Sequence, residues 1–331
     1  YLNFNGGTLR HVNADAKSAF FRSGAYTPNA VTVFGGGATI DVPEGKTNAF
    51  CETYDSCGAE SVIFQSAPGK CITAVNLPGD MPLTGYSGAE ELAVSGGDGA
   101  AFSAALDVTN GVLRGVVVTC PGWNYANAPT VTVKDPSGIV HTCGVVLSDG
   151  DQKLGAFTKT GGGQLEVNVK TNLFKGEYVV REGILRFPSA ASVDPECSIR
   201  LAGGVLNGSV SRTVLSLGGF GSVRLNKDNG SVERLYVSGE FAFDSADLLA
   251  GRYVSMESET AETETQDKGD RIVISDGVKL RVANPDPLIE RGGVCQLLSS
   301  PSAPIEGPVP EVVKTDPKMA RWRCELSADQ K

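Results

Sequence analysis

Across residues 155–187 apolar and polar positions alternate in short bursts, each launched from glycine. In Gln164-Leu165-Glu166-Val167-Asn168-Val169 the residues Leu165, Val167 and Val169 share one face and polar groups take the other. Glu177-Tyr178-Val179-Val180 and Gly183-Ile184-Leu185-Arg186-Phe187 repeat the arrangement. Strict period-two alternation predicts half-buried strands. The unit also recurs: glycines opening a strand stand at 163, 183, 204, 221 and 239, at steps of 20, 21, 17 and 18 residues. A sharp corner followed by a strand roughly every 20 residues is the signature of a β-solenoid, whose coils bury their inner faces only by stacking. A meandering sandwich is the competing reading, but it places turns about every 8–12 residues.

The same stretch carries a family resemblance. The order F-T-K-T-G-G-G-Q-L-x-V, then N-L-F-K-G-E-Y-V-V, then E-G-I-L-R-F resembles the passenger-associated repeat of bacterial autotransporter-type surface proteins. Upstream, N-F-N-G-G-T-L-R and V-x-V-x-G-G-G-A-T-I-D-V resemble the segment that precedes that repeat. Downstream, Arg321-Trp322-Arg323-Cys324-Glu325-Leu326-Ser327-Ala328-Asp329 resembles its closing run. The resemblance implies a right-handed parallel β-helix presented at the cell surface.

Residues 84–150 differ in character. Ala93-Val94 and the run 102–108 lead to Asn110-Gly111, and an Asn-Gly pair between alternating runs predicts a tight hairpin. Antiparallel hairpins do not belong inside a parallel coil, so an inserted β-module is expected. Its sequence V-T-N-G-x-L-x-G-V-x-V-T, followed by G-W-N-Y-A-N-A-P-T-V-T-V, is similar to a G-x-G-Y-x-x-A-P-T-V-T-V module of bacterial surface and tail-fibre-like proteins, with Trp123 and Asn124 in place of small residues. Trp123 and Tyr125 are the candidate ligand contacts: aromatics at an exposed hairpin tip stack on sugar rings, whereas the plainer reading has them plug a small core.

The expected fold is therefore all-β, a right-handed parallel β-helix with an inserted antiparallel module. Residues 1–81 form N-terminal rungs, 82–154 the insert, 155–243 the repeat core and 244–331 a β-rich cap. Residues 11–29 read as a loop. Asp244-Ser245-Ala246-Asp247-Leu248-Leu249-Ala250-Gly251 is the best helix candidate, about two turns ending at a glycine.

Composition fits this picture. The chain has 331 residues with 41 glycines, 20% charged and 7% aromatic residues, which suits many short strands and turns. A net charge of −9 offers no basic patch for nucleic acid or an anionic membrane. No apolar run approaches the roughly 18 residues of a membrane-spanning helix. The start at Tyr1 is read as that of a piece of a longer secreted chain.

Eight cysteines at 51, 57, 71, 120, 143, 197, 295 and 324 include no C-x-x-C pair, and His11 and His141 stand alone, so zinc is not expected. Disulfides and buried thiols both remain open, with Cys120–Cys143, which flank a strand-turn-strand unit, the first-choice bridge.

Candidate carboxylates are Asp41 with Glu44, Asp149 with Asp151, and Asp228, and none repeats from rung to rung to line a cleft. The acidic run 256–270 lacks the residue order of calcium loops and reads as a solvated segment. No cofactor is expected. The reading is an adhesive or structural fragment at an extracellular bacterial surface, with a glycan or other surface ligand and self-association as the partner classes. A carbohydrate-active β-helix enzyme and a tail-fibre-like glycan-recognition module are the alternatives.

Overall fold

The computed structural model describes residues 2–10, 12, 17–21, 30–51, 62–188, 193–208, 211–225, 234–257, 271–284, 295–299, 305–314, 319 and 323–325. It is almost entirely β, and its contacts divide it into two units. One comprises Tyr1–Ser66 with Gly155–Lys331; the other is Ala67–Leu154.

In the first unit, sixteen of the described strands join one large, mostly parallel sheet that curls into a half-barrel, and four more form a second parallel sheet. The glycine spacing appears directly in the register. Gln164 lies beside Ile184, Ile184 beside Val205, and Val205 beside Ser222, each the residue after a corner glycine. Gly239 is the exception: Glu240, which follows it, pairs with Ser216 in a neighbouring column.

Two inner columns show why alternation was so marked. Ala38, Phe157, Tyr178, Ile199, Leu217, Phe241, Leu280 and Val312 stand side by side through successive parallel pairs. Leu165, Leu185, Leu206, Val223 and Met256 do the same. A third set pairs Leu2 with Val31, Val31 with Phe64, and Phe64 with Asn172. Each strand in these columns pairs with the strand before and the strand after, so the register is passed on pair by pair.

The densest packing is aromatic. Phe64 lies 5.3 Å from Phe50, 5.3 Å from Phe157 and 5.2 Å from Phe174; Tyr178 lies 4.7 Å from Phe174 and 5.2 Å from Phe187. All six rings are buried. Such pairs add about 0.5–1.5 kcal/mol each beyond the area they bury.

The corners need glycine for a specific reason. Gly183 has φ +63°, and a Cβ there would fall on the carbonyl oxygens of Gly163 and Gly161 in the turn beneath. The backbone of one turn therefore rests directly on the backbone of the last.

Several polar residues enter this core with partners. Val167 and Val169 are buried as their parity predicts, but the strand ends at Glu166. Asn168 is buried too, bonded to the backbone of Cys51. Glu166 is covered by Arg186 at 3.2 Å and accepts a hydrogen bond from Gln164.

Lys17–Phe21 is a strand inside the stretch read as a loop, pairing in parallel with Thr47–Cys51. The helix is one short turn-and-a-half, Ser245–Leu249, with the Asp244 carboxylate accepting from the Ala246 N–H and Gly251 at φ +70° beyond its end.

The second unit is antiparallel. Ile72–Asn76, Val140–Leu147, Thr130–Lys134 and Leu92–Ser95 form a four-stranded sheet in that order. Ala100–Thr109 and Val112–Trp123 form a hairpin turning at Asn110 and Gly111, both with positive φ as a type I′ turn requires. Phe102, Leu106, Val108, Val116 and Val118 of the hairpin pack on the buried Ile72, Val75, Leu113, Val131 and Val133. Ile72–Asn76, read from sequence with the N-terminal rungs, belongs to this sheet through its pairing with Val140–Leu147.

Candidate functional site

The aromatic pair that the sequence places at an exposed hairpin tip is neither at the tip nor exposed. Trp123 is opposite Ala100, at the far end of the hairpin from Asn110-Gly111. Trp123 is 8% and Tyr125 5% exposed, so neither offers a ring face for stacking on a sugar. Their burial follows from the local backbone. Gly122 at φ +66° and Asn124 at φ +58° turn the chain twice within three residues.

The Tyr125 ring then lies against Gly99 and Gly122, where a Cβ on either would strike it. Burial raises the Tyr125 pKa, with the Phe102 backbone acting against it.

Asp98 fastens the same turn. Its Oδ1 accepts from the N–H groups of Ala126 and Asn127 at 2.8 Å, and its Oδ2 from the Asn127 side chain at 2.8 Å. These bonds, the Asn127 N–H first, hold the Asp98 carboxyl below the usual carboxylate range. Ala101 is held at φ +60°, an unusual conformation for alanine, beside this turn. The arrangement is a rigid aromatic plug.

A second cluster was invisible in the sequence. His141, which stands alone in the sequence, is on Val140–Leu147 with its ring Nε2 3.0 Å from Asp135 Oδ2. Asp135 Oδ1 accepts from the Ser137 hydroxyl at 2.6 Å and from the N–H groups of Ser137 and Ile139 at 2.9 Å. The Ser137 and His141 side chains, in that order, hold the carboxyl far below its ordinary value. Three donors thus converge on Oδ1 to close the turn, and His141 takes Oδ2.

Cys143 is two residues beyond His141 on the same inward face, and Tyr86 is buried nearby with its hydroxyl unpartnered among the described residues. Burial raises the Tyr86 pKa first, with Asp135, Glu90 and Cys143 adding to it.

A Cys-His-Asp order in space invites a nucleophile reading, but burial pushes the Cys143 thiol up, away from the thiolate that attack requires. Geometry and charge make this cluster a structural clamp.

Cys120 and Cys143 are both buried and both free thiols, so the expected bridge between them is not formed. Cys120 is on the hairpin opposite Ser103, and Cys143 is on the sheet opposite Val131, in different layers of the unit.

The candidate carboxylates are also engaged or apart. Asp41 pairs with Arg10 at 3.3 Å. Asp149 and Asp151 are exposed in a bend. Asp228, His11, Cys57, Trp322 and residues 258–270 of the acidic run lie outside the described residues. Among the described residues no three His, Cys, Asp or Glu side chains converge to hold a metal ion, and no helix is long and apolar enough to cross a membrane.

One functional-looking residue was missed although its signal was present. In Phe157-Thr158-Lys159-Thr160 the parity that sends Phe157 inward also sends Lys159 inward, and Lys159 is fully buried. Comparison with protein-family models, with curated proteins and with solved structures finds no match to this chain.

Proposed function

We propose that this chain is a scaffold segment of a bacterial surface protein, a right-handed parallel β-helix that spaces and presents the unit 67–154. The observation that supports it most is the inner column from Ala38 through Phe157, Tyr178, Ile199, Leu217 and Phe241 to Leu280. It repeats one contact through successive parallel strands. A column of this kind transmits load along the stacking direction and commits its side chains to packing. The motif resemblance around Lys159 and Gly183 supports the same reading. On it the chain works at the extracellular surface through contact with a surface ligand or with further copies, without turnover.

Protease shaving of intact source cells tests the proposal. Peptides of this chain released before lysis are the expected result, and peptides appearing only after lysis would contradict it. An assay against host and plant polysaccharides separates the catalytic alternative. Release of reducing or unsaturated ends, abolished by one Asp or Glu substitution, would replace the scaffold reading with an enzyme.

A further inference from the structure

Lys159 stands in an inner column between aliphatic neighbours. Lys159 is beside Ile40 on one side and Val180 on the other, and Val180 is beside Leu201. A lysine fully buried at such a position requires a reason, because taking an ammonium out of water is costly unless it is repaid by close partners.

The partners are backbone oxygens. Lys159 Nζ donates to the carbonyls of Thr160 and Gly161 at 2.6 Å each and to that of Glu182 at 3.2 Å. The first two belong to its own corner and the third to the corner of the next turn. Gly161 is at φ +74°, and a Cβ there would meet the Asp41 carboxylate and the Val42 carbonyl. A Cβ on Gly183 would meet the carbonyls of Gly161 and Gly163. Two glycine corners thus crowd oxygen atoms into one place and leave no room for a side chain from either corner. The negative ends of several carbonyl dipoles converge there, with Asp41 and Glu182 adding negative charge nearby.

Three oxygens at hydrogen-bond distance from one buried positive centre make a cation site in chemical terms. We propose that the Lys159 ammonium is a built-in cation that locks two successive corners together, and that the same oxygens take a free ammonium-sized monovalent cation when the side chain is removed. The inference rests on the geometry around Lys159 alone and is independent of where the protein works. Burial acts against the charge, with Asp41 and Glu182 opposing it, and brings the Lys159 pKa down to about 8, so the group is still largely charged at pH 7.

The test uses the full chain carrying Lys159→Ala, melted in ammonium chloride and in tetramethylammonium chloride at equal ionic strength. The wild-type protein is expected to melt alike in both salts. The variant is expected to melt lower than wild type in tetramethylammonium, by roughly 5 °C or more, and to recover at least half of that loss in ammonium. Equal melting of the variant in the two salts would overturn the proposal.

If the variant folds in neither salt, nitrogen-15 lysine NMR of the wild type decides. A slowly exchanging Lys159 ammonium at pH 7, lost as the pH rises past about 8, is the supporting result. A neutral amine or a freely exchanging ammonium at pH 7 would overturn the proposal.

Discussion

Asn168 and Cys51 are 117 residues apart, yet the Asn168 side chain completes the backbone bonding of Cys51. Its Oδ1 accepts from the Cys51 N–H, and its Nδ2 donates to the Cys51 carbonyl, both at 2.8 Å. The amide stands in for a strand where the strand of its own segment has ended at Glu166. It also ties the rung before the second unit to the rung after it, because residues 67–154 lie between the two in sequence.

Asn168→Ala is therefore expected to destabilise the first unit by about 2–4 kcal/mol, since two buried backbone groups lose their partners at once. Urea denaturation followed by a first-unit signal measures this. A loss below about 0.5 kcal/mol, the range of ordinary surface substitutions, would show that the bonds carry no weight.

Gly183→Ala tests the corner geometry. The new Cβ would meet backbone oxygens of Gly163 and Gly161 that belong to a packed turn, and φ +63° adds strain of its own. A loss of roughly 3 kcal/mol or more is expected. Gly150→Ala is the control: nothing lies within 4 Å of its Cβ position, so its effect is expected within about 0.5 kcal/mol. Similar midpoints for the two variants would contradict the backbone-on-backbone stacking.

Asp135 gives the second unit a pH dependence of predictable sign. Its hydrogen bonds from Ser137, His141 and Ile139 hold the folded carboxyl far below the ordinary value, against about 3.9 for an unfolded aspartate. A depressed carboxyl contributes stability that is complete above the unfolded value and is lost as the pH falls below it toward the folded value. Asp135→Ala is therefore expected to be less stable than wild type at pH 7, with the gap narrowing below pH ~4. A gap that stays constant down to pH ~2 would assign the effect to packing instead.

Thiol chemistry orders the cysteines. Burial, with Asp194 adding to it, pushes the Cys197 thiol up to about 12, whereas Cys71 is half-exposed. Iodoacetamide at pH ~8 is expected to label Cys71 well before Cys197 in the folded protein, with peptide mass spectrometry as the readout. Equal rates would mean that the Cys197 environment opens readily. Intact mass under non-reducing conditions also checks that Cys120 and Cys143 stay separate.

How much of this was legible depended on whether a position obeyed a local rule. Gly163, Gly183, Gly204 and Gly221 were readable because turn-on-turn contact permits no side chain, which leaves a spacing in the sequence. Gly239 shares the spacing and not the column, because the pairing register shifts between Val214 and Ser216.

Trp123 follows the plainer of its two readings, the core plug: Gly122 and Asn124, both at positive φ, turn the chain and carry it into the interior rather than to an exposed tip. The Asp135–His141 contact had only the turn residues between them as a clue, and a single histidine carries no periodicity. Lys159 had the clearest unused signal: it shares parity with Phe157, and only its chemical type argued against an inward position. Asn168 obeyed no pattern at all, since its role is fixed by Cys51 on a distant segment.

On the proposed β-helix, the first unit is a stack of turns of about 20 residues, each resting on the last. Single-molecule pulling from its two ends tests this most directly. Release turn by turn is expected, in length increments of about 70 Å for roughly 20 extended residues, with Gly183→Ala lowering the force of the steps nearest that corner. Unfolding of the whole unit in one increment, with no recurring step near that length, would contradict the account.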